Sequence, residues 1–225
     1  MTVKETLLEW VFPTECFLCR RPTGGDPLCA SCREKWNRCV SQGRNSELHT
    51  LRGVDHLCYL ARYSVNDADP VSAFLRRAKR DYRKKAVAFA AESASVCITD
   101  SLHAVWRDLV VVPVPRSDKA IRKFGFDQAA LLSRGIAREL GAQYLNAINH
   151  IGNRKQKTLN RAERAENAMH AYCVRTDAHA FVYGRHILLV DDVVTTGATM
   201  TACACLLREA GAQTVDAFAM ARTPH

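Results

Sequence analysis

Long hydrophobic runs are missing from this chain of 225 residues. No apolar stretch approaches the ~18–20 residues that span a bilayer, so no membrane insertion is expected. The opening MTVKETLLEWVFPTEC places Glu5 and Glu9 inside its short apolar stretch, which does not read as a signal peptide, and the expected compartment is the cytoplasm. Acidic residues are also scarce: 23 against 32 lysines and arginines, for a net charge of +9. That balance favours an anionic partner (phosphate, diphosphate or nucleic acid) without choosing among them. Internal repeats and low-complexity segments are absent, and 48% hydrophobic with 24% charged residues is ordinary for a soluble globular protein, neither disordered nor collagenous.

What is present divides into two regions. Residues 1–50 are rich in Cys, Pro and Gly with little periodicity and read as a small module; residues 51–225 alternate strand-like and helix-like segments. LCYLARY (57–63), DLVVVPVP (108–115), RHILLV (185–190) and TVDAFAMA (214–221) read as strands, with HAYCV (170–174) a shorter one. DPVSAFLRRAKR, KKAVAFAAESASVCI, DQAALLSRGIAREL (127–140) and TMTACACLLREA (199–210) read as helices. The alternation predicts an α/β fold: a mostly parallel sheet flanked by helices.

The richest segment is LLVDDVVTTGAT (188–199). A buried parallel strand running into a tight turn that opens a helix is an anion site, because helix N-termini carry unpaired N–H groups and the positive dipole end. Thr195, Thr196 and Thr199 add hydroxyl donors, and Gly197 lets the backbone turn and approach a ligand. Asp191 and Asp192 are acceptors only; they repel phosphate but suit vicinal hydroxyls or a divalent cation. Phosphate donors beside hydroxyl acceptors describe a ribose 5-phosphate. The segment lacks the Gly-Lys-Ser/Thr of a Walker A loop and the G-x-G-x-x-G of a dinucleotide site.

Of ten cysteines, Cys16, Cys19, Cys29 and Cys32 form C-x2-C-x9-C-x2-C. Two such knuckles can close a tetrahedral Zn²⁺ site, and four thiolates leave no open position, so the metal would be structural. Pro22, Gly24, Gly25 and Pro27 allow the spacer to fold back. Cys58, Cys97, Cys173, Cys203 and Cys205 lie in apolar contexts and read as small core residues; Cys39 has no assignment.

On these residues the chain resembles a known family. ILLVDDVVTTGAT is similar to the phosphoribosyl-diphosphate (PRPP) signature of type I phosphoribosyltransferases, and the four-cysteine zinc knuckle ahead of it narrows the match to the ComF (competence protein F, GntX-like) family. VVVPVP, RKFGFDQAALL (122–132) and RKQKTLNRAERAENAMHAY (154–172) match further family elements in order, and Lys79 falls on the lysine of its L-K-Y/F element. The resemblance implies PRPP with Mg²⁺ on the diphosphate side. It makes Asp191 and Asp192 the catalytic pair holding the ribose hydroxyls, and Val193, Val194, Thr195, Thr196, Gly197, Ala198 and Thr199 the loop for the 5-phosphate. Pro115, Arg116, Arg122, Lys79, Gln156 and Arg164 join the expected PRPP contacts. Within the 154–172 pattern, Leu159, Asn167 and Tyr172 also match.

Three positions depart from the family. Gln42 stands where a second C-x-x-C would place its cysteine, which argues against a second metal site. Phe124 and Asp127 stand where the family's R-G-F-N-Q element has arginine and asparagine, so that catalysis is less secure than binding.

The run RRAKRDYRKK (76–85) holds seven basic residues against Asp81 and reads either as a solvated helix face or as a strip for diphosphate or nucleic-acid backbone. Tyr82 is its only aromatic, a thin stacking platform for single-stranded DNA. RKQKTLNRAER (154–164) falls where the related enzymes keep a mobile loop over the site. The family resemblance implies support of DNA uptake in natural transformation, with single-stranded DNA and a helicase among conceivable partners. Three readings stay open: transfer of ribose 5-phosphate to an unknown acceptor, a non-enzymatic accessory or DNA-binding protein, and a zinc-organised interaction module.

Overall fold

The apolar run 187–190 is fully buried at the centre of the sheet, which requires helices over both faces. A computed structural model describes residues 14–43, 45–48, 51–65, 69–78, 84–102, 108–117, 119, 121–122, 125–152 and 171–223. Lys79, Phe124, Gln156, Arg164 and the basic segment 154–164 lie outside the described residues.

Helix α1 (Ala30–Gly43) and strand β1 (Asn45–Leu48) come first, then β2 (His56–Arg62), α2 (Pro70–Ala78), α3 (Lys84–Leu102), β3 (Leu109–Pro113), α4 (Gln128–Glu139) and β4 (Gln143–Tyr144). β5 (Ile148–His150), β6 (Tyr172–Val174), the short α5 (His179–Val182), β7 (His186–Val194), α6 (Ala198–Glu209) and β8 (Thr214–Arg222) complete the described elements. The main sheet has the order β1-β2-β8-β7-β3-β4, and every neighbouring pair is parallel except β1 with β2. β5 and β6 form a separate antiparallel pair. The predicted mostly parallel α/β sheet is the one observed. Helix α1 and edge strand β1 are additional to the elements expected from sequence: their stretch lacks the hydrophobic periodicity by which an element is read.

Because side chains alternate across a strand, the sheet has two apolar cores. Leu188, Val190, Phe218 and Met220 face one, beside Val71, Phe74, Ile98 and Ile136 of α2, α3 and α4. Ile187, Leu189, Val215 and Ala217 face the other, with Met200, Cys203 and Leu207 of α6 and Val182 of α5. Helices α3 and α4 cross closely: a methyl group on Gly135 would lie 2.6 Å from the Ala91 Cβ. Phe17, Leu28, Trp36 and Val40 join the first core, so the cysteine-rich segment packs directly on the layer that covers the sheet.

Candidate functional site

Strand β7 continues through both aspartates to Val194. Its alternation sends Asp191 and Asp192 to opposite sides of the sheet end. Asp192, 7% exposed, borders an apolar cleft on the α2–α4 side. Its carboxylate pairs with the guanidinium of Arg116. The pairing follows from register: Pro113 lies beside Val190, and the Val114 amide donates to the Val190 carbonyl at 2.8 Å, so the chain leaving β3 delivers Pro115 and Arg116 beside the acid pair.

Asp191 is half-buried on the α6 side, in the electrostatic reach of Cys203 and Tyr172. Burial, and then the charge of Asp192, holds its carboxyl well above the usual carboxylate range, with Arg116 pulling the other way. The Tyr172 hydroxyl, hydrogen-bonded to Thr199, is also raised, chiefly by burial. Each acid is turned back on the strand: the Asp192 amide donates to Asp191 Oδ1 at 2.7 Å and the Val193 amide to Asp192 Oδ1 at 2.9 Å.

The turn after β7 leaves Thr195 and Thr196 exposed and brings Gly197 to the N-cap of α6 with φ 75° and ψ 0°. A side chain there would be strained, and its Cβ would lie 2.2 Å from Leu51 Cδ2. Gly197 brings no side-chain cap to α6, and the first helical amide, that of Ala198, donates to Thr196 Oγ1 at 3.4 Å. The structure thus groups Asp191, Asp192, Arg116 and the 195–199 turn at the carboxyl ends of β3 and β7, where open α/β sheets bind ligands. Arg122 is exposed on a short helical stretch after this loop.

Asp127 is accounted for by the helix rather than by a ligand. It is the N-cap of α4, and its Oδ1 accepts from the Ala130 amide at 3.0 Å. The next residue, Gln128, is not among the contacts expected from sequence, yet its carboxamide N and O are both buried with no hydrogen-bond partner among the described residues. Its position in the RKFGFDQ element is the signal that could have drawn attention to it. The basic run is partly spent on the fold itself. Arg76 donates to the Ser64 carbonyl at 2.9 Å, Arg77 to the Phe17 carbonyl at 3.3 Å and Lys85 to the Gly25 carbonyl at 2.9 Å.

The cysteine cluster is preorganised. The thiol sulfurs of Cys16, Cys19, Cys29 and Cys32 all lie within 4.8 Å of one another, and Cys19 and Cys29 are 3.6 Å apart. A tetrahedral zinc–thiolate site with bonds of about 2.3 Å sets its sulfurs about 3.8 Å apart, so the group fits Zn²⁺. The first knuckle turns back through Arg20 at φ 66°, with the Cys16 amide donating to the Arg21 carbonyl at 2.7 Å. Burial works to raise the Cys16 thiol, but backbone hydrogen bonds at Cys29, Cys19 and Leu18 and the Cys19 side chain outweigh it and bring the thiol to about 6. Such a sulfur is ready to ligate as thiolate. Cys32 moves the opposite way, since burial and its sulfur neighbours keep its proton on. Cys39 stands apart: its thiol donates to Asp69 Oδ2 at 3.2 Å, and burial with that carboxylate pushes it up to about 12. Cys58, Cys97, Cys203 and Cys205 are buried in the cores and Cys173 half-buried, as their sequence contexts suggest.

Against known proteins, residues 120–225 match the model of the phosphoribosyl transferase domain. Competence protein F of Haemophilus influenzae is 25% identical over 213 residues, covering 92% of this chain and 90% of that protein. Competence protein ComFC of Bacillus subtilis is 28% identical over 216 residues, covering 92% of this chain and 78% of that protein. Over most of its length the chain is similar to these ComF and ComFC competence proteins, and its C-terminal part matches the phosphoribosyl transferase domain. The DNA utilization protein YhgH of Shigella flexneri is 28% identical over 233 residues, covering 94% of this chain and 98% of that protein. Among the described residues no helix is long and apolar enough to cross a membrane.

Proposed function

We propose that this protein belongs to the ComF family, binds PRPP at the end of β7 and transfers its ribose 5-phosphate to an acceptor in the service of DNA uptake. The observation that carries the reading is the joining of Asp191 and Asp192 to the α6 N-terminus through the Gly197 turn. Thr195, Thr196 and Thr199 with the first α6 amides hold the 5-phosphate, binding energy taken away from the reacting carbon. Asp191 and Asp192 take the ribose hydroxyls, and their charge favours the cation that develops on the sugar ring. Arg116 neutralises the departing diphosphate, which leaves with the electrons of the C1–O bond as the acceptor's lone pair forms the new bond. The carboxylates of Asp191 and Asp192 offer hard oxygen ligands that would hold Mg²⁺, and the ion when bound would supply charge neutralisation for the diphosphate.

The names of the relatives, competence and DNA utilization proteins, support the physiological setting. They equally favour a second reading, an accessory that contacts single-stranded DNA in the cytoplasm. Calorimetry of Mg²⁺ and PRPP with wild type and the Asp191→Asn/Asp192→Asn variant tests the first: no binding by wild type, or equal binding by both, defeats it. Single-strand binding whose log affinity falls steeply with log salt supports the second.

A further inference from the structure

Ahead of β2 the chain runs the length of α6 and grips it from end to end. Leu51 stands at the first residue of the grip: a Cβ on Gly197 would lie 2.2 Å from Leu51 Cδ2. Midway, the Cys205 thiol donates to the Arg52 carbonyl at 3.8 Å, and a Cβ on Gly53 would lie 3.0 Å from the Cys205 amide nitrogen. In the last turn of α6, Arg208 Nε donates to the Gly53 carbonyl at 3.4 Å and the guanidinium pairs with Asp55. Asp55 is tied in turn to β8: its Oδ2 accepts from the Val215 amide at 2.8 Å, and its own amide donates to the Val215 carbonyl at 2.8 Å. The Val54 amide donates to the Leu51 carbonyl at 3.1 Å, so the strap 51–55 turns tightly and holds Leu51 in register with the Arg208 anchor. Leu51 itself is half-buried and packs on the core beneath α6.

We infer that Leu51 is a positioning residue for the phosphate turn, which it holds in its binding conformation before any ligand arrives. The identity of the ligand rests on the PRPP reading; the positioning role does not. Glycine visits positive and negative φ about equally, so a glycine at a helix N-cap leaves the turn free to swing unless something outside it decides. Gly197 has no side chain with which to cap α6 or to fix its own φ of 75°. Leu51 supplies that decision from another part of the chain by filling the space where a Cβ would stand. With Gly197 fixed, the Ala198 and Thr199 amides and the Thr199 hydroxyl keep one direction. A turn ordered in advance spares the ligand the cost of ordering it, which is a gain in affinity without a contact. Leu51 is apolar and offers no hydrogen bond to an anion, so its effect passes through Gly197.

The experiment titrates inorganic phosphate, and separately Mg²⁺ with PRPP, into the full-length zinc-loaded protein by calorimetry, for wild type, Leu51→Ala, Leu51→Met and Val215→Ala. Hydrogen exchange at the Ala198 and Thr199 amides is followed without ligand. Leu51→Ala weakens both ligands roughly five- to tenfold, the scale of ordering one residue's backbone, and speeds exchange at those amides. Leu51→Met, close in volume, restores affinity and protection. Val215→Ala, which hollows the same core away from the turn, lowers Tm and leaves phosphate affinity at the wild-type level. In a Gly197→Ala background Leu51→Ala costs little or recovers affinity, because it removes the collision. Wild-type affinity in Leu51→Ala with a lowered Tm overturns the inference, since Leu51 would then only pack; an equal loss in Val215→Ala overturns it too. PRPP binding that ignores Leu51 keeps the PRPP reading and removes the positioning role. Phosphate binding that depends on Leu51 in a protein that does not take PRPP keeps the positioning role and removes the PRPP reading. A wild type that binds neither ligand overturns both.

Discussion

Arg116, just beyond β3, clamps the carboxylate of Asp192, which lies 76 residues further along the chain at the end of β7. Both side chains are largely buried, 17% and 10% exposed. Removing the arginine alone strands a buried carboxylate next to a second acid. Arg116→Ala is expected to cost about 3 kcal/mol, the scale for breaking a buried pair. Adding Asp192→Asn should return most of that loss, and a double-mutant cycle by urea denaturation measures it. Additive losses would show that the pair is not coupled.

Asp191 makes the opposite prediction. Its carboxyl is held well above the usual range, so the folded protein retains a proton that the unfolded chain has given up. Stability from this group is therefore present at low pH and declines as pH rises from the ordinary aspartate value toward the raised one. Asp191→Asn should remove that decline and lift Tm at neutral pH by about 2–4 °C, the shift that roughly 1 kcal/mol makes in a domain of this size. A variant less stable than wild type across the pH range would contradict it.

The same proton bears on ligand binding. A protonated carboxyl is a poorer acceptor for ribose hydroxyls and a poorer ligand for Mg²⁺. Binding of Mg²⁺ and PRPP should release protons, and affinity should rise with pH. Calorimetric enthalpies in buffers of different ionisation heat count the protons; a buffer-independent enthalpy would refute the coupling.

Gly197→Ala tests the turn. The residue sits at φ 75° with Leu51 in the way of any Cβ. Strain and collision together should destabilise by about 2 kcal/mol or more. Phosphate-bearing ligands should lose affinity in parallel, because the α6 amides move with the turn. Wild-type affinity for PRPP in this variant would detach the phosphate from α6.

Chelation tests the cysteine cluster. Phe17, Leu28 and Trp36 are at most 2% exposed and share a core with α2 and α3, and the Trp36 indole N–H donates to Ser93 Oγ at 3.1 Å. Stripping the metal should lower Tm markedly and shift the emission of Trp36, with recovery on adding Zn²⁺. A chelator-insensitive Tm would show that the four sulfurs hold no structural ion.

Asp127 illustrates where a linear pattern misleads. Read against the family's asparagine it looks like an acid set beside a diphosphate; in the structure its oxygen is spent on the Ala130 amide as a helix cap. Asparagine and aspartate cap equally well, so the departure is conservative in the role the fold uses. Arg76, Arg77 and Lys85 are a similar case. A run of charge looks like a surface strip until three of its members are found hydrogen-bonding to backbone carbonyls.

The sequence by itself determined the parallel α/β layers, the four sulfurs and the acid–threonine turn. Each is written in local spacing: strand runs of buried type, two C-x-x-C pairs, and a strand–turn–helix junction with a glycine where the backbone must turn left-handed. Tertiary structure alone decided which acid meets Arg116, that the two aspartates face opposite sides of the sheet, and that Phe17 and Gln128, far apart in the chain, line one cleft with residues of α2 and α4. Those outcomes depend on strand order and on helices crossing far along the chain, and contacts between distant residues leave no periodic trace in a sequence.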